Sequence, residues 1–254
     1  MLNYCNAVPR FFAPDFDPAD REATLSLDES HHLTRVLRLR VGDEVTIFDG
    51  RGHQFAARVT QAAKTATLTI LHAIPAPPPP PVPIVLVQAV LKGDKMDDVI
   101  RDATMVGVAT IVPIVTERSL VSVSALTKGR AVNRWTRVAI ASAKQCGRAD
   151  LPAIQPPIGF DAWLATPFGG RRLMFAEPAS EPRPRTLRAA LAGSKRAAIA
   201  CIVGPEGGWA VAEREKARAA GCIAVTLGSM TLRADAAGLV AASIVSFACQ
   251  DAAR

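Results

Sequence analysis

Ala197-Ala198-Ile199-Ala200-Cys201-Ile202-Val203 runs apolar without a break and stops at Gly204-Pro205-Glu206-Gly207-Gly208, after which a helical pattern sets in from Val211 to Ala219. An unbroken apolar run of this length reads as a strand buried on both faces. A strand, a glycine turn and a helix in succession form the place where an open α/β sheet binds small molecules. Three glycines within five residues let backbone N–H groups approach a ligand closely, and Pro205 stiffens the turn between them. The turn lacks the lysine and hydroxyl residue of a phosphate-cradling loop, and Glu213 and Glu215 oppose a phosphate at the helix start. A nucleoside-like ligand without a polyphosphate is expected. Standing alone, the motif would be read first as a plain strand-to-helix turn.

Working outward, a second apolar strand from Ile223 to Leu227 ends at Gly228 and leads through Ser229-Met230-Thr231-Leu232-Arg233-Ala234-Asp235 into a small-residue helix from Ala236 to Cys249. Two strand ends thus present two loops, which an open α/β sheet gathers at one carboxyl edge. Asp235 is either the N-cap of that helix or a functional carboxylate. Arg233 either pairs with Asp235 or meets an anionic or oxyanionic group of a substrate.

The proline run from Pro75 to Pro83 joins neither a helix nor a central strand and predicts an extended, semi-rigid spacer. It divides the chain into residues 1–74, the spacer 75–83 and residues 84–254. Before the spacer, alternating runs at Glu44 to Phe48, Gln54 to Val59 and Thr65 to Leu71 predict a small β-barrel. After it, a strand from Ile84 to Leu91, a helix from Asp94 to Met105 and a strand from Ala109 to Val115 make a βαβ unit and hence a parallel sheet. A further helix is expected from Arg134 to Gln145. The fold class is α/β, a parallel-sheet domain preceded by a small β domain.

Composition agrees. The 254 residues suffice for two modest domains with cores, and the net charge of +7 favours polyanionic partners. The five cysteines (Cys5, Cys146, Cys201, Cys222 and Cys249) show neither a paired framework nor metal-ligand spacing. They read as reduced, mostly buried thiols of a cytoplasmic protein. No apolar stretch reaches the roughly 20 residues of a membrane span, and no export signal opens the chain. His31 and His32 would project about 100° apart on a helix, which argues against a shared metal, and no metal is expected. Cys146 has no histidine after Val82 to activate it. Arg35 and Arg38 lie in a stretch that reads as helical, three residues apart, and form either a phosphate-binding pair or a solvated face. Arg148 either contacts RNA or bridges to Asp150.

Ile202-Val203-Gly204-Pro205-Glu206-Gly207-Gly208, followed by Leu227-Gly228 and Leu232-Arg233, resembles the cofactor-binding half of the RsmE family. Arg35-Val36-Leu37-Arg38, Gly42-Asp43, Phe48-Asp49-Gly50, Lys95-Met96 and Gln145-Cys146-Gly147-Arg148 extend the resemblance in the same order. These SPOUT-superfamily enzymes methylate N3 of a uridine in 16S ribosomal RNA with S-adenosylmethionine. The resemblance implies a trefoil-knotted SPOUT methyltransferase domain behind a PUA-like RNA-binding domain, a homodimer, and the small ribosomal subunit as partner. It implies cofactor binding by Glu177, Val203, Gly204, Pro205, Gly207, Gly208, Leu227, Gly228, Ser229, Thr231, Leu232 and Ala234. It also implies RNA binding by Arg10, Arg35, Arg38 and Arg148.

The chemistry needs few groups. A uracil N3 is a weakly acidic imide, so a base removes its proton while the nitrogen is aligned with the methyl donor; Asp235 is the candidate base and Arg233 the group that orients the uracil or balances its charge. The target base must also leave its stack. The chain departs from the family pattern in carrying Asp235 for glutamate, Ala236 for threonine, Ser229-Met230 for proline-arginine, Met105-Val106 for glutamate-leucine, and Ala210 for a serine cap. Two other functions remain open: a catalytically silent RNA-binding or ribosome-assembly factor on the same scaffold, and a SPOUT enzyme methylating transfer RNA ribose 2′-hydroxyls.

Overall fold

The computed structural model describes residues 8–17, 19–128, 130–181, 184–192 and 197–251. Cys5 lies outside them. The chain divides into two compact units, one of residues 1–78 with 143–151, the other of residues 79–142 with 152–254.

In the first unit, β1 (Arg10–Phe12), β2 (Glu22–Thr24), α1 (Leu27–His31), β3 (Glu44–Phe48), β4 (Gln54–Gln61) and β5 (Thr67–Ile74) form a sheet ordered β1-β3-β4-β5-β2. Only the β1–β3 pair is parallel. The alternation read from the sequence sends Val45, Ile47, Phe55, Ala57, Val59 and Leu68 to one core with Phe11, Leu25 and Leu33. Register shifts between Ala56 and Ala57 and between Val59 and Gln61 bend the ladder around that core. Phe48 faces the other way, onto Ala143, Ala149, Phe12 and Leu151, and this second cluster explains why residues 143–151 belong to the unit.

The stretch around Arg35 corrects the sequence reading. After α1 the chain makes one π-helical turn, His32–Val36, and then leaves the helix at Leu37. Arg38 is in the left-handed region at φ 54°. Helical spacing therefore does not place Arg35 and Arg38 on one face.

The second unit contains β6 (Ile84–Ala89), α2 (Lys95–Met105), β7 (Thr110–Val115), α3 (Val123–Lys128), α4 (Ala131–Cys146, its last turn in the first unit), β8 (Ala153–Ile154), β9 (Ile158–Gly159), α5 (Phe160–Leu164), β10 (Arg171–Phe175), α6 (Leu187–Leu191), β11 (Ile199–Val203), α7 (Val211–Ala219), β12 (Ile223–Val225) and α8 (Ala234–Asp251). The strands pair in parallel in the order β12-β10-β11-β6-β7-β8, with β9 also on β7. Ile199, Cys201 and Val203 enter one core layer while Ala200 and Ile202 enter the other, so both faces of β11 are covered and its apolar run has no polar interruption.

The small residues of α8 serve close packing inside the unit. Ala241, Ala242 and Val245 are fully buried, and a Cβ on Gly238 would stand 2.7 Å from Gln88 Oε1 of β6. Ala210 offers no side-chain acceptor to the first turn of α7, and only the other half of a capping box remains, made by Glu213. Its buried carboxylate accepts hydrogen bonds from the backbone N–H of Ala210 at 3.1 Å and of Glu117 at 2.8 Å. Cys146, Cys201, Cys222 and Cys249 are free; burial pushes the Cys222 thiol up to about 11, while Cys146 is exposed. No described helix is long and apolar enough to cross a membrane.

Candidate active site

The carboxyl ends of β10, β11 and β12 meet the start of α8 around a cleft of about 320 Å³. Both glycine-ended loops contribute, as the sequence predicts. Of the expected cofactor residues, Glu177, Val203, Gly204, Pro205, Leu227, Thr231, Leu232 and Ala234 line the cleft. Gly207, Gly208, Gly228 and Ser229 are not among its lining residues; the three glycines shape the turns instead.

The glycine turn is tight for identifiable reasons. Gly208 is left-handed at φ 68°, and a Cβ there would stand 2.5 Å from Glu177 Oε1. Gly204 lies against the Trp209 ring, whose Nε1 donates to the Phe175 carbonyl at 2.9 Å and ties β10 to the turn. Arg118 packs on Gly207 and donates through Nη1 to its carbonyl at 2.7 Å. Gly228 sits at φ 108°, a conformation closed to most side chains.

Arg233 and Asp235 both line the cleft and hold each other through two hydrogen bonds, Nε to Oδ1 at 3.1 Å and Nη2 to Oδ2 at 2.8 Å. Asp235 is the second residue of α8, so it occupies the first turn and is not the N-cap. The Arg233 hydrogen bonds hold its carboxyl below the usual carboxylate range, with Arg233 and Lys95 adding their charge. Arg233 is exposed.

In the first unit, the four arginines expected at RNA separate into two pairs. Arg10 turns inward, donating to Gln54 Oε1 at 2.7 Å and to the Arg148 carbonyl at 3.0 Å, with its guanidinium over the Phe48 ring. Arg148 bridges to Asp150 at 2.9 and 2.8 Å, and its side chain is only 10% exposed. Both have structural work that sequence reasoning did not foresee for Arg10. Arg35 and Arg38 are exposed. No three potential metal-ligating side chains gather among the described residues.

A family model for an RNA methyltransferase domain matches residues 78–246, and one for an RNA methyltransferase PUA domain matches residues 26–71. Ribosomal RNA small subunit methyltransferase E of Synechocystis is 30% identical over 86% of this chain and 70% of its own length. The protein of the same name from Neisseria gonorrhoeae, solved bound to S-adenosylmethionine, is 32% identical with a TM-score of 0.85, over 95% of this chain and 98% of its own. The chain belongs to the ribosomal RNA small subunit methyltransferase E (RsmE) family. A Legionella pneumophila protein solved with the bound cofactor S-adenosylmethionine is 26% identical with a TM-score of 0.87, over 97% of this chain and 98% of its own.

The RsmE fold is accordingly the one the resemblance implied, a SPOUT-type parallel-sheet domain behind a PUA-like β domain. Sequence reasoning missed part of this RsmE cleft: Lys95, Phe175, Ala176, Glu206, Trp209 and Met230 also line it. Phe175 ends β10 and Ala176 follows it, which the apolar run Leu173-Met174-Phe175-Ala176 after Gly169-Gly170 signals in retrospect. Lys95 and Glu206 both stand in motifs of the resemblance, but nothing local pairs them, since they meet across 111 residues of chain.

Proposed function

We propose that this RsmE-family chain transfers a methyl group from S-adenosylmethionine to N3 of a uridine in 16S ribosomal RNA of the small ribosomal subunit, in the cytoplasm. One arrangement carries the reading: a paired guanidinium and carboxylate line the same cleft as the glycine turn and Glu177. The residues fit the cofactor. Phe175, Val203, Leu227 and Leu232 offer apolar walls for an adenine ring, Glu177 offers a carboxylate for hydroxyl groups, and the turn has no phosphate-binding lysine. In this assignment Glu177, Val203, Gly204, Pro205, Leu227, Thr231, Leu232 and Ala234 hold the cofactor, while Gly207, Gly208, Gly228 and Ser229 shape its two loops.

When bound, the cofactor supplies an electrophilic methyl group whose carbon–sulfur bond breaks, its electron pair going to sulfur, as the bond from N3 forms. Asp235 takes the N3 proton. A carboxyl is ionised at neutral pH in any case, and the downward shift of its pKa makes Asp235 a weaker base, so alignment of N3 supplies much of the acceleration. Arg233 orients the uracil after it has left its stack. Residues 1–74 hold the RNA, with Arg35 and Arg38 at phosphates, while Arg10 is an internal brace that donates to the carbonyl of Arg148. Residues 75–83 are the spacer, and residues 84–254 carry the transfer, apart from 143–151, which belong to the first unit. Exposed Ile244 and Phe247, three residues apart on α8, suit a homodimer contact.

Calorimetry with S-adenosylhomocysteine, and methylation of small subunits lacking the modification with identification of the product nucleoside, test the reading. Cofactor binding and N3-methyluridine are expected. A folded protein that retains RNA but has no cofactor affinity is instead an assembly factor, and a 2′-O-methylated transfer RNA product makes it a ribose methyltransferase. An active monomer by light scattering at micromolar concentration excludes the dimer.

A further inference from the structure

Lys95 is the first residue of α2 and lines the same cleft as Arg233 and Asp235. Its Nζ donates to Glu206 Oε1 at 2.9 Å, and the same oxygen accepts the Lys92 backbone N–H at 3.2 Å. A glutamate of the glycine turn thus holds the entry to α2. The Lys95–Glu206 pair is open to water, its side chains 39% and 33% exposed, and a pair of this kind separates at little cost. Among the described residues lining the cleft, Lys95 and Arg233 are the only cations.

Those two cations are differently engaged. The Arg233 guanidinium is bound at two nitrogens by Asp235, whereas the Lys95 ammonium, a point charge on a flexible stem, holds Glu206 through one hydrogen bond. The proposed reaction creates a need for such a group. Breaking the N3–H bond passes the proton to the Asp235 carboxylate, which becomes neutral, and leaves the electron pair on the imide, whose negative charge spreads onto its two carbonyl oxygens. The charge has moved from Asp235 to the uracil. We propose that Lys95 leaves Glu206 and donates a hydrogen bond to a carbonyl oxygen of the target uracil, stabilising the imide anion until its N3 pair forms the bond to the methyl carbon. The inference rests on the methyl-transfer reading above. Lys95 is near enough to act electrostatically on the reacting carboxylate, since after Arg233 its charge adds to the fields that lower the Asp235 pKa. Glu206 and Glu177 line the cleft with it, Lys92 precedes it in the chain, and Asp94, Asp97 and Asp98 stand at the start of α2, where Arg134 holds Asp94 and Asp97.

The test compares Lys95→Met, Lys95→Arg and Glu206→Gln by kcat, KM for small subunits, pH profile and S-adenosylhomocysteine affinity. Lys95→Met is expected to lower kcat at neutral pH by on the order of 10²-fold, the usual loss for one donor at a developing oxyanion. It should leave S-adenosylhomocysteine affinity unchanged, and the loss should shrink as pH rises and the imide ionises without help. Lys95→Arg should recover part of the rate. Glu206→Gln breaks the same ion pair but keeps the ammonium, so its pH profile should remain that of the wild type. The proposal is overturned if Lys95→Met and Glu206→Gln lose activity in parallel, if the Lys95→Met loss is independent of pH or lies in cofactor affinity, or if its kcat is unchanged. A wild-type protein that makes no N3-methyluridine overturns the methyl-transfer reading itself, and the Lys95 role with it.

Discussion

Asp235 separates two accounts that a cap would have blurred. Because it lies in the first turn of α8 and its partner Arg233 is 76% exposed, the pair contributes little to stability. Asp235→Asn should leave the unfolding midpoint and S-adenosylhomocysteine affinity near those of the wild type while lowering turnover by ~10²-fold or more. Turnover that survives the change would remove Asp235 from proton transfer. Asp49 is the contrasting case, a carboxylate whose work is structural. Burial pushes its pKa up, but hydrogen bonds from the His53 ring, the Arg51 and His53 backbone N–H groups and the Arg51 side chain prevail and bring it down to about 2. A depressed carboxyl contributes stability that is present above its unfolded value of 3.8 and is lost as pH falls through about 2. Chemical denaturation of Asp49→Asn should therefore show a deficit against the wild type at neutral pH that closes between about pH 4 and about pH 2.

Turns explain more of the site than helices do. The Gly204 to Gly208 loop was legible because glycine and proline punctuate a strand end in a way no other residues do. Its dependence on Glu177 was not, since that contact joins the ends of two different strands. Gly208→Ala should cost about 1–2 kcal/mol for the left-handed backbone. It should also displace the Glu177 carboxylate and weaken S-adenosylhomocysteine binding. Gly221→Ala is the control: φ there is 79°, with nothing within 4 Å of the new Cβ, so only the backbone strain should appear. Equal cofactor affinity in the two variants would take Glu177 out of the binding site. The stretch after α1 shows the opposite failure. Its polar periodicity continues the helical pattern, but the chain turns left-handed at Arg38.

For the whole molecule, the positive charge of the chain is partly spent internally. Arg10, Arg148 and Lys144 are braces of the first unit, Lys144 reaching Glu29 at 2.8 Å, and this leaves Arg35 and Arg38 as the better candidates for phosphate. Replacing both by alanine should weaken RNA binding and flatten its salt dependence by roughly one unit of slope per lost contact. Cofactor affinity should be untouched. The reverse pattern would overturn the division of labour between the two parts of the chain.

Apolar period, glycine placement and the proline run determined, from the sequence alone, that a small β domain precedes a parallel-sheet domain, and that two strand ends carry glycine loops. These are local signals, because burial of both strand faces and access to unusual backbone angles are written in adjacent residues. Which strands lie side by side was decided only in three dimensions. Backbone ladders form between any two strands, so nothing in β11 announces that it sits between β6 and β10, or in β12 that it sits beyond β10. That order brings the ends of β10, β11 and β12 to one cleft and sets Lys95 against Glu206, a juxtaposition no stretch of the chain contains by itself.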